Sequence, residues 1–181
     1  TDRKFLNYKY KDQYYKVPTY GRIFKIIDFG RSIYKYSGEQ MCSDSFFKNG
    51  DAAGQFNFYK FENTKKEKIL PNKGFDLCRL ACSIYDNFID DNTDEIDITN
   101  PIAMLMNRWI KDDNGKNILY KSNGEERYPD FKLYKMITRK CTKNTPDMAL
   151  KEPLFNSYKS SKKKIGKKAK IMNIDEYPKL F

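Results

Sequence analysis

The chain has 181 residues, 39% of them apolar and 15% aromatic, which is enough to build a core and leaves little room for extended disorder. It contains no histidine, which excludes Ser-His-Asp and Cys-His catalysis and His-ligated metal chemistry together. Lys and Arg number 35 against 24 Asp and Glu, a formal charge of +11, with much of the surplus gathered near the C-terminus in YKSSKKKIGKKAK.

From the N-terminus, KFLNYKY, a polar KDQ and YYKV spell a hairpin of aromatic and β-branched residues around a short turn. PTYG interrupts it, and RIFKII follows as a short, mostly buried strand ending at Asp28. RSIYKY alternates like a further strand that pairs back. Residues 37 to 74 have no clean period and carry Gly38, Gly50, Gly54, Pro71 and Gly74. Long irregular segments of this kind in compact domains are functional or disordered.

GFDLCRLACSIYDNFI then spreads apolar residues, among them Leu77, Cys78, Leu80, Cys82 and Tyr85, around nearly the whole circumference of a helix. That pattern predicts a central, buried helix. NPIAMLMNRWI begins with an Asn cap and a Pro at the first helical position, and stops before DDNG. DNGKNILYKSNGEERYP is a turn-rich excursion with two Asn-Gly pairs. DFKLYKMITRKC is an amphipathic helix with Phe131, Leu133, Tyr134, Met136 and Ile137 inward, and TPDMAL is a short capped helix ended by Pro153. The predicted fold class is α+β, with N-terminal β-hairpins leading through a long loop into a mainly helical part.

Cys42, Cys78, Cys82 and Cys141 are too few and too scattered for a disulfide scaffold, and without a CxxC pair or a histidine no zinc site is expected. Buried free thiols in a reducing compartment are expected instead. No apolar run approaches the roughly 18 residues of a membrane helix and no signal-peptide pattern opens the chain, so a soluble intracellular protein with no membrane partner is expected. The chain opens on Thr1 rather than Met, which fits a processed or partial product.

The order of these pieces resembles a known family. A strand ending in Asp28, Phe29 and Gly30, a long loop, a buried helix opening with Asp76 and smaller helices after it resemble the C-terminal lobe of a eukaryotic-type protein kinase. DLCRLACSIYD is similar to the family's central helix, and YKMITRKC with TPDMALKEPLF to its last two helices. YKVPTYGRIFKIIDFGRSIYK, FDLCRLACSIYD, NGEERYPDFKLYKMI and IMNIDEYP together resemble the kinase-like proteins of giant DNA viruses over almost the whole chain. The resemblance implies a Ser/Thr-type kinase that transfers the ATP γ-phosphate to protein hydroxyls, located in the host cytoplasm or the virion. Asp28 is then the Mg2+ ligand, and Asp28, Phe29 and Gly30 form the cofactor site for Mg2+ and ATP. Asp76 ties the central helix to the backbone of the catalytic loop; by position alone it is a first-turn acid complementing the helix dipole. The implied partial kinase domain covers 1–158, with hairpins over 1–36, an activation-segment-like loop over 37–74 and the helical part over 75–158, followed by a basic tail over 159–181.

The pattern also departs from the family. The glycine-rich loop, the strand lysine and the helix glutamate have no counterpart, so the small lobe is expected to be missing and a separate N-terminal part becomes an expected partner. Asp2, Lys4 and Asn7 stand at the relative spacing of the catalytic loop, but Asp2 reads better as the opening of an added hairpin. No Ala-Pro-Glu closes the loop, where GDAAGQFNFYKF places Gly54 and Phe56. Ser43 and Ser45 lie where activation-loop phosphorylation occurs in the family, or are simply solvated. No catalytic residue is assigned, and the chain alone is expected to be inactive. The alternatives are a non-catalytic, pseudokinase-like scaffold and a nucleic-acid-associated protein acting through SSKKKIGKKAK, a segment that otherwise reads as a disordered solubilising tail.

Overall fold

In the computed structural model, which describes residues 4–57, 68–88 and 99–176, the N-terminal hairpin forms as the sequence predicts. Strand β1 (Phe5–Tyr10) runs antiparallel to β2 (Gln13–Pro18), from Phe5 opposite Pro18 to Tyr10 opposite Gln13. Lys11 enters the turn at a φ of 53°, and its amide donates to Asp175 Oδ2 at 2.7 Å. The fold is α+β, with N-terminal strands followed by helices, and it divides into two compact units. One unit joins Thr1–Cys42 to Lys151–Phe181; the other is Ser43–Leu150.

The first, the sheet unit, corrects two expectations. The basic segment is not a tail: β5 (Lys159–Ser160) pairs with β2, and β6 (Ile171–Asn173) pairs parallel to β1, giving the order β5-β2-β1-β6. Between them α5 (Lys162–Ile165) is capped by Ser161, whose hydroxyl accepts from the Lys164 amide, and Ile165 is buried. Lysine side chains stay in water on long stems while their backbone pairs, so charge density alone does not report disorder.

The second correction concerns RIFKII, which forms no strand and lies exposed. β5 occupies the outer edge of β2 at Tyr14 and Tyr15, and β6 that of β1 at Asn7, Tyr8 and Lys9, so the middle of each hairpin strand is already paired. A turn at Thr19–Gly21, with the Arg22 amide donating to the Thr19 carbonyl at 2.9 Å, leads the chain away. RSIYKY does contribute a strand, but it pairs forward: β3 (Tyr34–Tyr36) meets β4 (Glu39–Met41) across Ser37–Gly38, both at positive φ, the two-residue geometry that matches strand twist.

The second, helical unit holds nearly all of the fully buried apolar side chains among the described residues, including Phe46, Leu105, Trp109, Ile110, Ile118 and Ile137. Helix α1 (Phe75–Phe88) buries Cys78, Ala81, Cys82 and Tyr85, one face at i, i+3, i+4 and i+7, whereas Leu80 is 52% exposed. It is therefore amphipathic and not buried all round. Its apolar circumference exceeds what α2 and α3, its packing partners, cover. Helix α2 (Pro101–Trp109) starts as predicted, with Asn100 Oδ1 accepting from the Ile102 and Ala103 amides. Helix α3 (Phe131–Lys140) buries Ile137 and Thr138 and keeps Phe131, Leu133, Tyr134 and Met136 half-buried. Helix α4 (Pro146–Ala149) is capped by Thr145. Among the described residues no helix is long and apolar enough to cross a membrane.

The join between α1 and α3 is closely packed. The Gly74 amide donates to Asn72 Oδ1 at 2.9 Å, and Asn72 Nδ2 donates to the Thr138 carbonyl at 2.8 Å. A Cβ on Gly74 would stand 2.6 Å from the Cys141 carbonyl oxygen. Gly74→Ala therefore forces backbone apart, and urea denaturation should show a loss of about 1–3 kcal/mol. Beside this join Cys78, Cys82 and Cys141 lie buried together. Hydrogen bonding to the Cys141 and Cys82 thiols, with burial added, pushes the Cys78 thiol well above its ordinary value. A raised acid favours the folded state only while the unfolded thiol stays protonated. Cys78 should thus stabilise fully below about pH 8.5 and progressively less above it. Thermal melts from pH 8 to 10 should fall more steeply for the wild type than for Cys78→Ala.

Candidate functional site

Asp28, Phe29 and Gly30 lie near the end of a run exposed from residue 20 to residue 31. Asp28 takes a φ of 62°, a left-handed conformation uncommon for a residue with a Cβ. Its short polar side chain offsets part of the cost: Oδ1 accepts from the Gly30 amide at 3.4 Å, a long bond. The Phe29 carbonyl accepts from both the Ser32 amide, at 2.9 Å, and the Ser32 hydroxyl, at 2.7 Å, closing a tight turn. Upstream, Phe24 is 90% exposed and Ile26 85%, so an uncovered apolar strip leads directly to this carboxylate.

Asp28 is one carboxylate in water, and among the described residues no group of three or more His, Cys, Asp or Glu is placed to hold a metal. A single carboxylate suits Mg2+ only where phosphate oxygens and water complete its octahedron. The residues present therefore fit a metal that arrives with a nucleotide, not a closed protein cage.

Asp76 lies in the first turn of α1 and is exposed, where its charge complements the helix N-terminus. The Ser43 hydroxyl caps a 3-10 turn, accepting from the Ser45 amide at 3.2 Å. Phe56 is buried against Phe46, with ring centroids 5.1 Å apart. The Gly54 carbonyl receives Arg139 Nη2 at 2.7 Å, so an arginine from α3 holds the end of this loop, a contact the sequence pattern does not announce. Asp2 lies outside the described residues. Asn7, its partner in the catalytic-loop spacing, sits mid-strand in β1 opposite Lys16 and Ile171, which is hairpin geometry.

Sequence reasoning missed a second locus. A cavity of about 450 Å3 in the sheet unit is lined by Lys4, Lys16 and Lys170, by Phe5 and Asn7, and by apolar groups including Ile165. Among the described residues no carboxylate lines it. Lys16 Nζ lies 4.4 Å from the Phe5 ring centroid. Asn7, only 9% exposed, donates from Nδ2 to the Lys170 carbonyl at 3.3 Å, while its Oδ1 is buried with no hydrogen-bond partner. The one signal in the sequence is an amide in the middle of an otherwise aromatic and apolar strand.

Comparison of the chain with family models, curated proteins and solved structures finds no match. The Asp28 turn itself is directly testable. Asp28→Val places a β-branched residue at positive φ and should speed hydrogen exchange of the Ser32 amide roughly tenfold, whereas Asp28→Gly should leave it protected.

Proposed function

We propose that the chain is a portion of a Ser/Thr-type protein-kinase-like catalytic lobe, in which Asp28 contributes a Mg2+ ligand. The observation that carries this reading is the backbone of Asp28: a non-glycine residue held at positive φ, in an Asp-Phe-Gly sequence, at the end of an apolar segment with nothing over it. Strained conformations of this kind cluster at functional sites. The resemblance in block order, from Asp28 through the long loop to the helix that opens at Asp76, supplies the reaction class.

The work of Asp28 in such a lobe is electrostatic. Asp28 would hold a Mg2+ that arrives with ATP, and the metal would supply charge neutralisation for transfer of the γ-phosphate to a hydroxyl. Asp28 fixes where that charge sits, and the turn closed by Gly30 and Ser32 fixes where Asp28 points. No described residue is assigned as base: Asp2, at the base position of the catalytic-loop spacing, lies outside the described residues, and Asn7 is a strand residue. No described residue is assigned to grip the nucleotide or to activate the hydroxyl.

A scaffold reading draws on the same strip. Exposed apolar residues from Ile23 to Phe29 offer an extended edge and side chains on which a separate segment can dock.

Two measurements separate these readings. The purified 181-residue chain should transfer no γ-phosphate from ATP to a generic protein substrate. A longer product read from the coding sequence upstream of Thr1 should transfer it, and Asp28→Ala should cut that transfer by at least about a hundredfold. An upstream region without a glycine-rich loop and strand lysine, or transfer indifferent to Asp28→Ala, overturns the kinase reading and leaves the scaffold.

A further inference from the structure

We infer that the sheet unit binds single-stranded nucleic acid, with one nucleotide seated in the cavity lined by Lys4, Lys16, Lys170, Phe5 and Asn7. This inference does not depend on Asp28 or on phosphoryl transfer.

The first support is the division of charge. The sheet unit carries 18 Lys and Arg against 7 Asp and Glu, whereas the helical unit carries 17 of each. The whole +11 therefore belongs to one body, and a surplus confined in this way is the footprint of a polyanion partner. The second is the division of aromatic surface. Of the seven strongly exposed aromatic side chains among the described residues, Phe5, Tyr20, Phe24, Phe29, Tyr34 and Tyr36 are in the sheet unit and Phe47 alone is not. Cations interleaved with open rings are what a strand of unpaired bases requires, because phosphates take the cations and bases stack on the rings.

The cavity gives this general character a particular place. Three lysines and, among the described residues, no carboxylate line it, which favours a phosphate, and the Phe5 ring, 43% exposed with Lys16 Nζ beside it, is available for stacking. Asn7 lines the cavity and its Oδ1 is a buried acceptor without a partner, so a donor that reaches it is bonded at the expense of no existing hydrogen bond. Every nucleobase carries an N–H donor on its Watson–Crick edge, so a splayed base can satisfy it. The volume suits one such group, and paired bases in a duplex cannot enter it. A free mononucleotide would use the cavity but not the lysines from 162 to 168, which continue in sequence from the wall formed by Ile165 and Lys170. A strand uses both.

Deleting residues 159–170 is not a usable test, since it removes β5 and the cavity wall. Fluorescence anisotropy of the whole chain with a labelled oligonucleotide of about 12 unpaired residues is the direct one. Binding should weaken steeply between about 50 and 200 mM salt. Replacing Lys4, Lys16 and Lys170 together by alanine should lower the log–log salt slope by about 2, at roughly 0.7 per phosphate contact. Asn7→Ala should weaken binding about tenfold with the slope unchanged, and Lys111→Ala with Lys116→Ala should change neither. Because Asn7→Ala also removes a buried hydrogen bond, the wild type is footprinted as well. Bound oligonucleotide should protect Lys4, Lys16 and Lys170 from acetylation while Lys111 and Lys116 stay reactive. Absence of salt-dependent binding, equal affinity for duplex, binding of mononucleotide alone, or unprotected cavity lysines overturns the inference.

Discussion

The parallel pairing of β6 with β1 is the contact on which the sheet unit depends. A β-strand presents donors and acceptors along both edges, and a central strand needs two partners. β1 obtains one from the adjacent hairpin arm and the other from the far end of the chain, so that Asn7 meets Lys170 across a sequence separation of 163 residues. That single requirement merges two basic segments into one body. It also places α5 and Lys170 beside the hairpin and so creates the cavity wall. Closing a contact across so many residues is entropically costly, and few buried groups compensate: Ile165 is the only fully buried apolar side chain of this unit among the described residues. Backbone pairing and half-buried aromatic residues carry the rest. A body so thinly packed and so positively charged gains more from an anionic partner than a dense, neutral one does.

The helical unit rests on a different principle. Its turns and helix ends are pinned by side chains bonded to backbone. Asp113 is the fullest example, accepting from the Thr142 and Lys143 amides and from the Thr142 hydroxyl, while its own amide donates to the Lys140 carbonyl. Asp112 does the same within its turn, taking the Asn114 and Lys116 amides on one oxygen. Both carboxylates come from the DDNG stretch, so the excursion after α2 is folded back onto the end of α3 by local chemistry.

What the sequence revealed follows from range. The β1–β2 hairpin, the Asn100 and Thr145 caps and the Pro-initiated helices are written in neighbouring residues and were legible. RIFKII was misread because a strand needs an edge to join, and occupation of the β1 and β2 edges is decided by β5 and β6, more than a hundred residues downstream. The lysine-rich end was misread because charge counts describe side chains, while β5 and β6 are held by their backbone. The circumference of α1 was read correctly as apolar, but coverage depends on how many neighbours a helix of this unit has. For the site, Asp28, Phe29 and Gly30 stood out as a motif, yet nothing in the letters discloses the positive φ of Asp28. The cavity was harder still, since its lining comes from strands paired across the whole chain.

The three thiols of Cys78, Cys82 and Cys141 have one further consequence. Sealed in the interior of Ser43–Leu150, they cannot meet a reagent in bulk water until that interior opens. Their alkylation rate is therefore a clock for opening, running on the population of the open form when closing is fast. A two-electron oxidant that converted Cys141 and either Cys78 or Cys82 to a disulfide in that interval, taking up their two electrons and two protons, would join α1 to the end of α3 and leave a lasting record of the opening.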